Sequence, residues 1–455
     1  MSVIRRLFTI VVTLLCLCAF ASARADQKTK TEPVPDVPLQ QWIDAPDHAD
    51  FPAEYKILPP RLTYLQRYLV ETRAAISGEI ARGRDLYIFL KVADNTGKWL
   101  PGESHVHSEA STALTRKNEF QYVAGFYASP GQYTVAIVIY DAKSEKYDVR
   151  HLPLKVEPIK NDPLASRVES SGDSVEFLSD PPPGVRSFQD ISSVSKYQPD
   201  SLWPFAAKLD SYQLNSPRPI QLDVVLNFSD VGETFVIPPS VFSRARRSIF
   251  DSMPETMQGT IAPGRIQQRQ KENLSSVLSV GQVLAAIHPS NGCVRISGID
   301  MTAMEVAFKR STPESIDWEA LRNSRSTNKL AEISVHALQN RKEQPIFLRD
   351  FLTNLQAPIE NCGSAVPAPL HVVVFVSQAF AFPVGAHKDD FHITDHSSFR
   401  IHYYQLNTGA RGTFDDLGSF LKSADTKSHD VFEPKQLREA MAKTFSDIAS
   451  RISKK

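Results

Sequence analysis

The chain has 455 residues, with Lys+Arg and Asp+Glu equal at 51 each, 42% hydrophobic residues and 22% charged ones. That length allows two or three domains with a sizeable core, and the composition is that of ordinary globular domains. A formal net charge of zero lacks the basic excess that a nucleic-acid partner requires, and 31 Pro against 19 Gly points to stiff linkers and edge strands.

Residues 1–25 read as a signal peptide. Arg5 and Arg6 form a positive n-region, Leu7–Phe20 is the apolar run, and Ala23-Arg24-Ala25 offers small residues for cleavage before Asp26. A retained membrane anchor is the alternative, but the run is short for a span and exits into small residues. Cys16 and Cys18 lack the small residues that a lipoprotein site needs just before them. Cleavage leaves Cys293 and Cys362. In an oxidising compartment an even pair reads as a disulfide, with two buried free thiols as the alternative.

Residues 26–56 are polar and punctuated by Pro (TEPVPDVPLQQW) and read as an extended linker or a strand-like lead-in. Residues 57–158 read as an antiparallel β-sandwich of immunoglobulin or fibronectin type. Its strands are Leu86–Val92, Phe120–Tyr127, Tyr133–Tyr140 and Val149–Val156, with turns at Asp94–Gly97, Ser129–Gly131 and Asp141–Lys146. Tyr64–Ile80 is ambiguous and leaves an early helix open. Residues 159–216, with Asp180-Pro181-Pro182-Pro183-Gly184 at their centre, read as a Pro-rich linker.

From residue 217 to 455 strands alternate with helices. Ile220–Asp230 (IQLDVVLNFSD) is a nearly unbroken apolar run, the pattern of a strand buried on both faces of a doubly wound sheet. Its polar end, Asn227-Phe228-Ser229, falls where such a sheet places a ligand. A long connection, Val231–Glu272, carries Arg244, Arg246, Arg247, Arg265 and Arg269. These could gather as an anion patch; a solvated loop with balancing acids is the plainer reading. Leu274–Ile287 has helical apolar spacing. Cys293–Met301 and Met304–Arg310 read as a hairpin, and Ile316–Leu321, Leu330–Asn340 and Pro345–Leu355 as helices. Leu370–Phe380 and Phe399–Leu406 read as buried strands, and Asp415–Ser423 and Pro434–Ile452 as closing helices.

The order buried strand, helix, hairpin, helices, buried strand, strand, helix over about 220–453 resembles a von Willebrand factor A domain. The hairpin is what separates that pattern from a plain dinucleotide-binding fold. A sandwich, a joint containing Trp203-Pro204 and then this domain also resembles a group of exported bacterial proteins related to von Willebrand factor A. The resemblance implies a Mg²⁺ site at the strand ends, built from Asp-x-Ser-x-Ser with a later Thr and Asp, because a hard dication takes oxygen ligands including a carboxylate. Here Asn227 stands at the first Asp, Ser229 at the first Ser, Val231 at the second Ser and Ser377 at the later Asp, with Thr327 a weak match for the Thr. Both carboxylates are missing, so the site is degenerate unless Asp230 or Glu233 rebuilds it. The resemblance also puts Cys293 and Cys362 at the bottom of the sheet. One strand separates them, and a bridge then requires a loop to move.

His387, His392 and His396 share a loop with Asp389, Asp390 and Asp395 (AHKDDFHITDH), a mixture that could hold Zn²⁺ or a similar ion; a solvated loop is the plainer reading. His371 and His402 fall in strands and read as satisfied core residues. The chain has no GxSxG, Walker loop or GxGxxG, and no Cys–His spacing of a known nucleophile pair. The expectation is therefore an exported, non-enzymatic protein-binding or scaffold protein without a cofactor, its partner a protein. Metal-dependent adhesion through Mg²⁺ or another dication, or a metal-dependent hydrolase, are the alternatives.

Overall fold

The computed structural model describes residues 35–110, 119–170, 174–178, 209–229, 263–326, 340–359, 362, 368–383, 385–386, 391, 393, 398–406 and 415–453. The signal-peptide residues lie outside this set. The chain divides into two compact units, residues 1–46 and 47–455. In the first, helix α1 (Leu39–Asp44) carries an exposed bond from Gln40 Nε2 to the Asp44 carboxylate at 3.0 Å, an i,i+4 pair.

The second unit is β-rich, with several sheets. It begins with β1 (His48–Ala49), β2 (Ala53–Ile57), β3 (Arg61–Leu62), β4 (Tyr68–Ser77), the short helix α2 (Gly78–Ala81), β5 (Asp85–Ala93), β6 (Ser104–Glu109), β7 (Glu119–Ala128), β8 (Gly131–Asp141) and β9 (Lys146–Val156). Then come β10 (Val168–Glu169) and β11 (Val175–Phe177). Two antiparallel sheets, β1-β9-β8-β5-β6 and β11-β7-β4-β2, enclose one core. Alternation selects that core: Leu86, Ile88, Leu90 and Val92 of β5 point inward with Val135, Ile137 and Ile139 of β8, against Phe120, Tyr122, Ala124 and Phe126 of β7. The open alternative of a helix over Tyr64–Ile80 is corrected. Tyr68–Ser77 is a strand whose Val70, Ala74 and Ile76 enter the core at a period of two. Asp94 closes the turn expected after β5, accepting from Thr96 N at 2.8 Å, with Gly97 at φ +83°.

The remaining elements are β12 (Ser211–Leu214), β13 (Ile220–Asn227), α3 (Pro263–Ala285), β14 (Ile287–Pro289), β15 (Gly292–Asp300), β16 (Glu305–Ser311), α4 (Trp318–Ser326), α5 (Gln344–Leu355), β17 (Leu370–Gln378), β18 (Phe399–Leu406), α6 (Asp416–Lys422), β19 (Lys427–Val431) and α7 (Pro434–Ser453). Six strands form one sheet in the order β16-β15-β13-β17-β18-β19. Every pairing in it is parallel except that of β16 with β15. Every residue of β13 and β17 is buried, as their continuous apolar runs require. Leu222, Val224 and Leu226 pack on one face with residues of α3 and α7, and Val225, Val373 and Phe375 on the other with residues of α5 and α6.

Three details depart from the sequence reading. Helix α3 starts at Pro263, because its first eleven residues (PGRIQQRQKEN) are too polar to show a period. Ile287 leaves that helix for β14, which pairs in parallel with β12, itself paired to β10. Strand β19 (KSHDV) was not foreseen; as a polar edge strand it carries little apolar signal.

Cys293 and Cys362 form a disulfide, with Cα atoms 5.3 Å apart. The bridge crosses the start of β13, and a side chain of β13 explains how. Gln221, paired in register with Cys293, donates to Ile359 O at 3.2 Å and accepts from Ile359 N at 3.0 Å. The segment before β17 is thereby drawn beneath β13, and Cys362 Sγ lies 4.0 Å from Ile220 O. Gly292 is required here: its φ is +133°, and a Cβ would sit 1.8 Å from Ile220 O.

Candidate functional site

The polar end of β13 meets the ends of β15 and β17. Asn227 Nδ2 donates to Ser377 Oγ at 2.8 Å, and Asn227 Oδ1 accepts from Ser229 N at 3.1 Å and Ser229 Oγ at 2.5 Å. Ser229 Oγ in turn accepts from Met301 N at 2.5 Å and Thr302 N at 3.3 Å, and Ser377 Oγ donates to Gln378 O at 2.6 Å. Asn227, Ser229 and Ser377 are all buried. The sequence-derived residues Asn227, Ser229 and Ser377 are thus brought together.

The arrangement tests a cation site chemically. A dication needs several free oxygens and at least one carboxylate. Here the oxygens of Asn227 and Ser229 already accept from protein donors, and an amide nitrogen takes the place of a carboxylate oxygen against Ser377. These three residues fit a closed cap on the sheet and do not fit a Mg²⁺ shell. Asp230, Val231, Glu233 and Thr327 lie outside the described residues, as do His387, His392, His396, Asp389, Asp390 and Asp395. Among the described residues, no group of three or more His, Cys, Asp or Glu side chains is placed to hold a metal ion. Of the His/Asp loop, Phe391 and Ile393 are buried in the core that also holds Phe399 and Leu421. Arg244, Arg246 and Arg247 also lie outside, and Arg265 and Arg269 fall on α3.

Asp415 is a carboxylate beside this edge that the sequence reading did not single out. It precedes α6, and its Oδ1 accepts from Phe380 N at 3.1 Å, just past β17. Burial pushes its pKa above the usual carboxylate value, opposed by the backbone amides of Phe380 and Gly418. The fully buried Tyr403 hydroxyl faces Asp415 and Ser377. Burial first, and then the neighbouring carboxylate, raise its pKa well above the ordinary phenol value. Asp416 Oδ2 accepts from Phe382 N at 3.0 Å. An Asp pair opening a helix after a buried strand was the available signal.

A second polar group lies nearer the bottom of the same face. Asp223, fully buried in β13, is 2.7 Å from His371 Nε2 and accepts from Arg310 Nη2 at 2.9 Å and Arg310 Nε at 3.3 Å. Arg310 also donates to Leu355 O at 2.7 Å and Ala357 O at 2.8 Å. The carboxylate, guanidinium and imidazole satisfy one another, so His371 is a paired core residue, as its strand position suggested.

No family profile matches the chain, and no curated protein matches it. Among solved structures, a structural-genomics target designated SoR45 aligns with 24% of this chain and 89% of its own length at 14% identity and a TM-score of 0.15. A Bacteroides uniformis beta-glucuronidase aligns with 82% of this chain at 8% identity and a TM-score of 0.18, and the chain spans 37% of that enzyme's length. Likenesses this weak establish no family for the chain and carry no argument about its fold or its chemistry.

Proposed function

We propose that the protein is an exported, non-enzymatic binding or scaffold protein whose C-terminal half is a von Willebrand factor A-like domain with a degenerate metal site. Its partner in this reading is another protein. The six-stranded sheet with a single antiparallel edge strand supports the comparison with that family. The Cys293–Cys362 bridge suits an oxidising compartment, and the N-terminal n-region, apolar run and small-residue exit supply the route out. No helix among the described residues is long and apolar enough to cross a membrane.

The observation that carries the reading is the closed strand end. Asn227, Ser229 and Ser377 spend their oxygens on each other and on backbone groups, leaving the ligand edge of the sheet without an ion shell or a nucleophile–base pair among these side chains. Recognition then falls to the surface of the domain. The test uses the mature full-length chain. Metal content is measured by plasma mass spectrometry, melting is followed with and without a chelator, and a partner found by crosslinking in the exporting cell is titrated against the purified protein. The reading expects no retained dication, an unmoved melting point and chelator-indifferent affinity. One equivalent of a dication whose removal abolishes binding would overturn it.

A further inference from the structure

Outside the strand-end cluster and the Asp223 group, the described residues hold a further buried group of titratable side chains, between β18, β19 and α7. The rings of His402 and His429 have centroids 5.4 Å apart at an interplanar angle of 12°, yet His402 Nδ1 and His429 Nε2 are 3.1 Å apart. The nitrogens therefore lie between two nearly parallel rings, and the contact is one imidazole-to-imidazole hydrogen bond holding one proton. On its far side His402 Nε2 lies 3.3 Å from Asp447 Oδ2. Either ring can donate across the His402 Nδ1–His429 Nε2 contact, according to the tautomer each adopts. Thr444 Oγ1 lies 3.2 Å from the same Nδ1 and 2.8 Å from the Tyr404 hydroxyl.

The surroundings set how many protons this pair can take. Arg400 on β18, Lys427 on β19, and Lys443 and Arg451 on α7 oppose added charge; Asp447 favours it, and Glu439 lines the groove beside His429. Asp425 engages Arg400. A first proton can be held by a change of tautomer. A second would set an N–H against an N–H at 3.1 Å with no acceptor between them, between two cationic rings in a buried site. Burial, with the neighbouring cations, lowers the pKa of both rings, that of His429 to about 4.

What this contact holds lies two residues further along the chain. Strand β19 ends at Val431, whose carbonyl accepts from Tyr64 OH at 3.2 Å. Pro434 O, at the start of α7, accepts from Gln66 Nε2 at 3.0 Å, and Arg438 Nε donates to Gln66 Oε1 at 2.9 Å. The tight Thr63–Arg67 turn of the sandwich, with Gln66 at φ +62°, is seated here. We propose that the His402–His429 contact is a proton-operated latch: acid that protonates both rings parts β19 from β18 and opens the seat of the Thr63–Arg67 turn, loosening the sandwich from the α7 side of the second sheet.

The sign follows from linkage. A His whose folded pKa is depressed is protonated more readily when the latch is open, so closure weakens as pH falls from about 6.5 towards about 4. The test is amide hydrogen exchange on the mature full-length protein at about pH 7 and about pH 4.5, corrected for the intrinsic pH dependence of exchange. Exchange should rise by at least about ten-fold in residues 62–67 and 427–431 at the lower pH, one pKa unit being worth a factor of ten, while β15 stays protected. His429→Gln keeps an N–H donor without a titrating ring and should abolish the rise. Equal exchange at both pH values in the wild type, or the same rise in His429→Gln, would overturn the proposal. If that variant fails to fold, the ¹³C-resolved histidine titration of the wild type decides: two rings titrating well below the rest, together with the exchange change, sustain the latch, and their absence refutes it.

Discussion

Arg438, on α7 of the second half of the chain, donates through Nε to Gln66 Oε1 in the tight turn of the sandwich at 2.9 Å, and its other arm engages Asp162. The two halves of residues 47–455 are thus joined by a side-chain lock in which every partner is largely buried. Tyr64 adds packing, since it belongs to the core that also contains Leu437 and Met441.

Arg438→Ala should cost about 3 kcal/mol, because it leaves the buried Gln66 side-chain oxygen without its donor and takes the cation from the partly buried Asp162 carboxylate. More diagnostic than the loss is its form. Urea unfolding followed by fluorescence and by circular dichroism should separate into two transitions, each with a smaller m-value than the wild type. A single, unshifted transition would show that the halves are held together by other contacts.

The Cys293–Cys362 bridge closes a long loop, with the cysteines 69 positions apart in sequence. The chain-entropy model gives about 4 kcal/mol for a loop of that size. The double variant Cys293→Ser, Cys362→Ser should lose a stability of that order in urea melts and become indifferent to reductant, whereas the wild type should shift on reduction. Gly292→Ala should fail more completely, since its Cβ would overlap the Ile220 carbonyl and the strand pair has no room to relax.

Asp223→Asn should be among the most damaging single substitutions in the second sheet. It leaves the Arg310 guanidinium facing an amide that cannot balance its charge, and breaking a buried charged pair costs about 3–5 kcal/mol. Thermal melting checks the size. Co-substitution of Arg310 by Met should recover part of the loss if the charge, and not the shape, is what matters.

Asp447 lies beside Lys427, Arg400, Arg451 and His402, and its pKa is held far below the usual carboxylate value. A carboxyl with a depressed folded pKa contributes stability that is present above its unfolded value and lost as pH falls through its folded value. Asp447→Asn should therefore lower the melting point at neutral pH and flatten the acid limb below about pH 3.8. That window lies below the one assigned to His402 and His429, so the two effects can be separated in a series of melts from neutral to acid pH.

Much of the architecture was legible because burial writes a pattern into the chain. The runs Ile220–Asp230 and Leu370–Phe380 read as strands covered on both faces, and the strands within them, Ile220–Asn227 and Leu370–Gln378, are fully buried. The buried strand β15 and the apolar face of the final helix were legible from their own apolar patterns. Apart from β4, what the sequence did not show was polar or short: β19, β14 and the first turns of α3 carry little apolar periodicity, and β14 and β19 are held by strands distant in sequence. Of the strand-end residues, Asn227, Ser229 and Ser377 were read from the sequence and do converge; Asp415 was read only as a helix start.

The sequence by itself determined where much of the apolar surface had to be hidden, and from that the most apolar strands and most of the helices of the second half, because periodicity and burial are local properties of the chain. Tertiary structure alone decided which polar groups meet. Gln221 drawing Ile359 beneath β13 so that Cys362 reaches Cys293, Asp223 between Arg310 and His371, His402 against His429, and Arg438 against Gln66 all join residues far apart in sequence. Each needs two or more elements to be packed before its hydrogen bond exists, and a buried polar group has no periodicity to announce its partner.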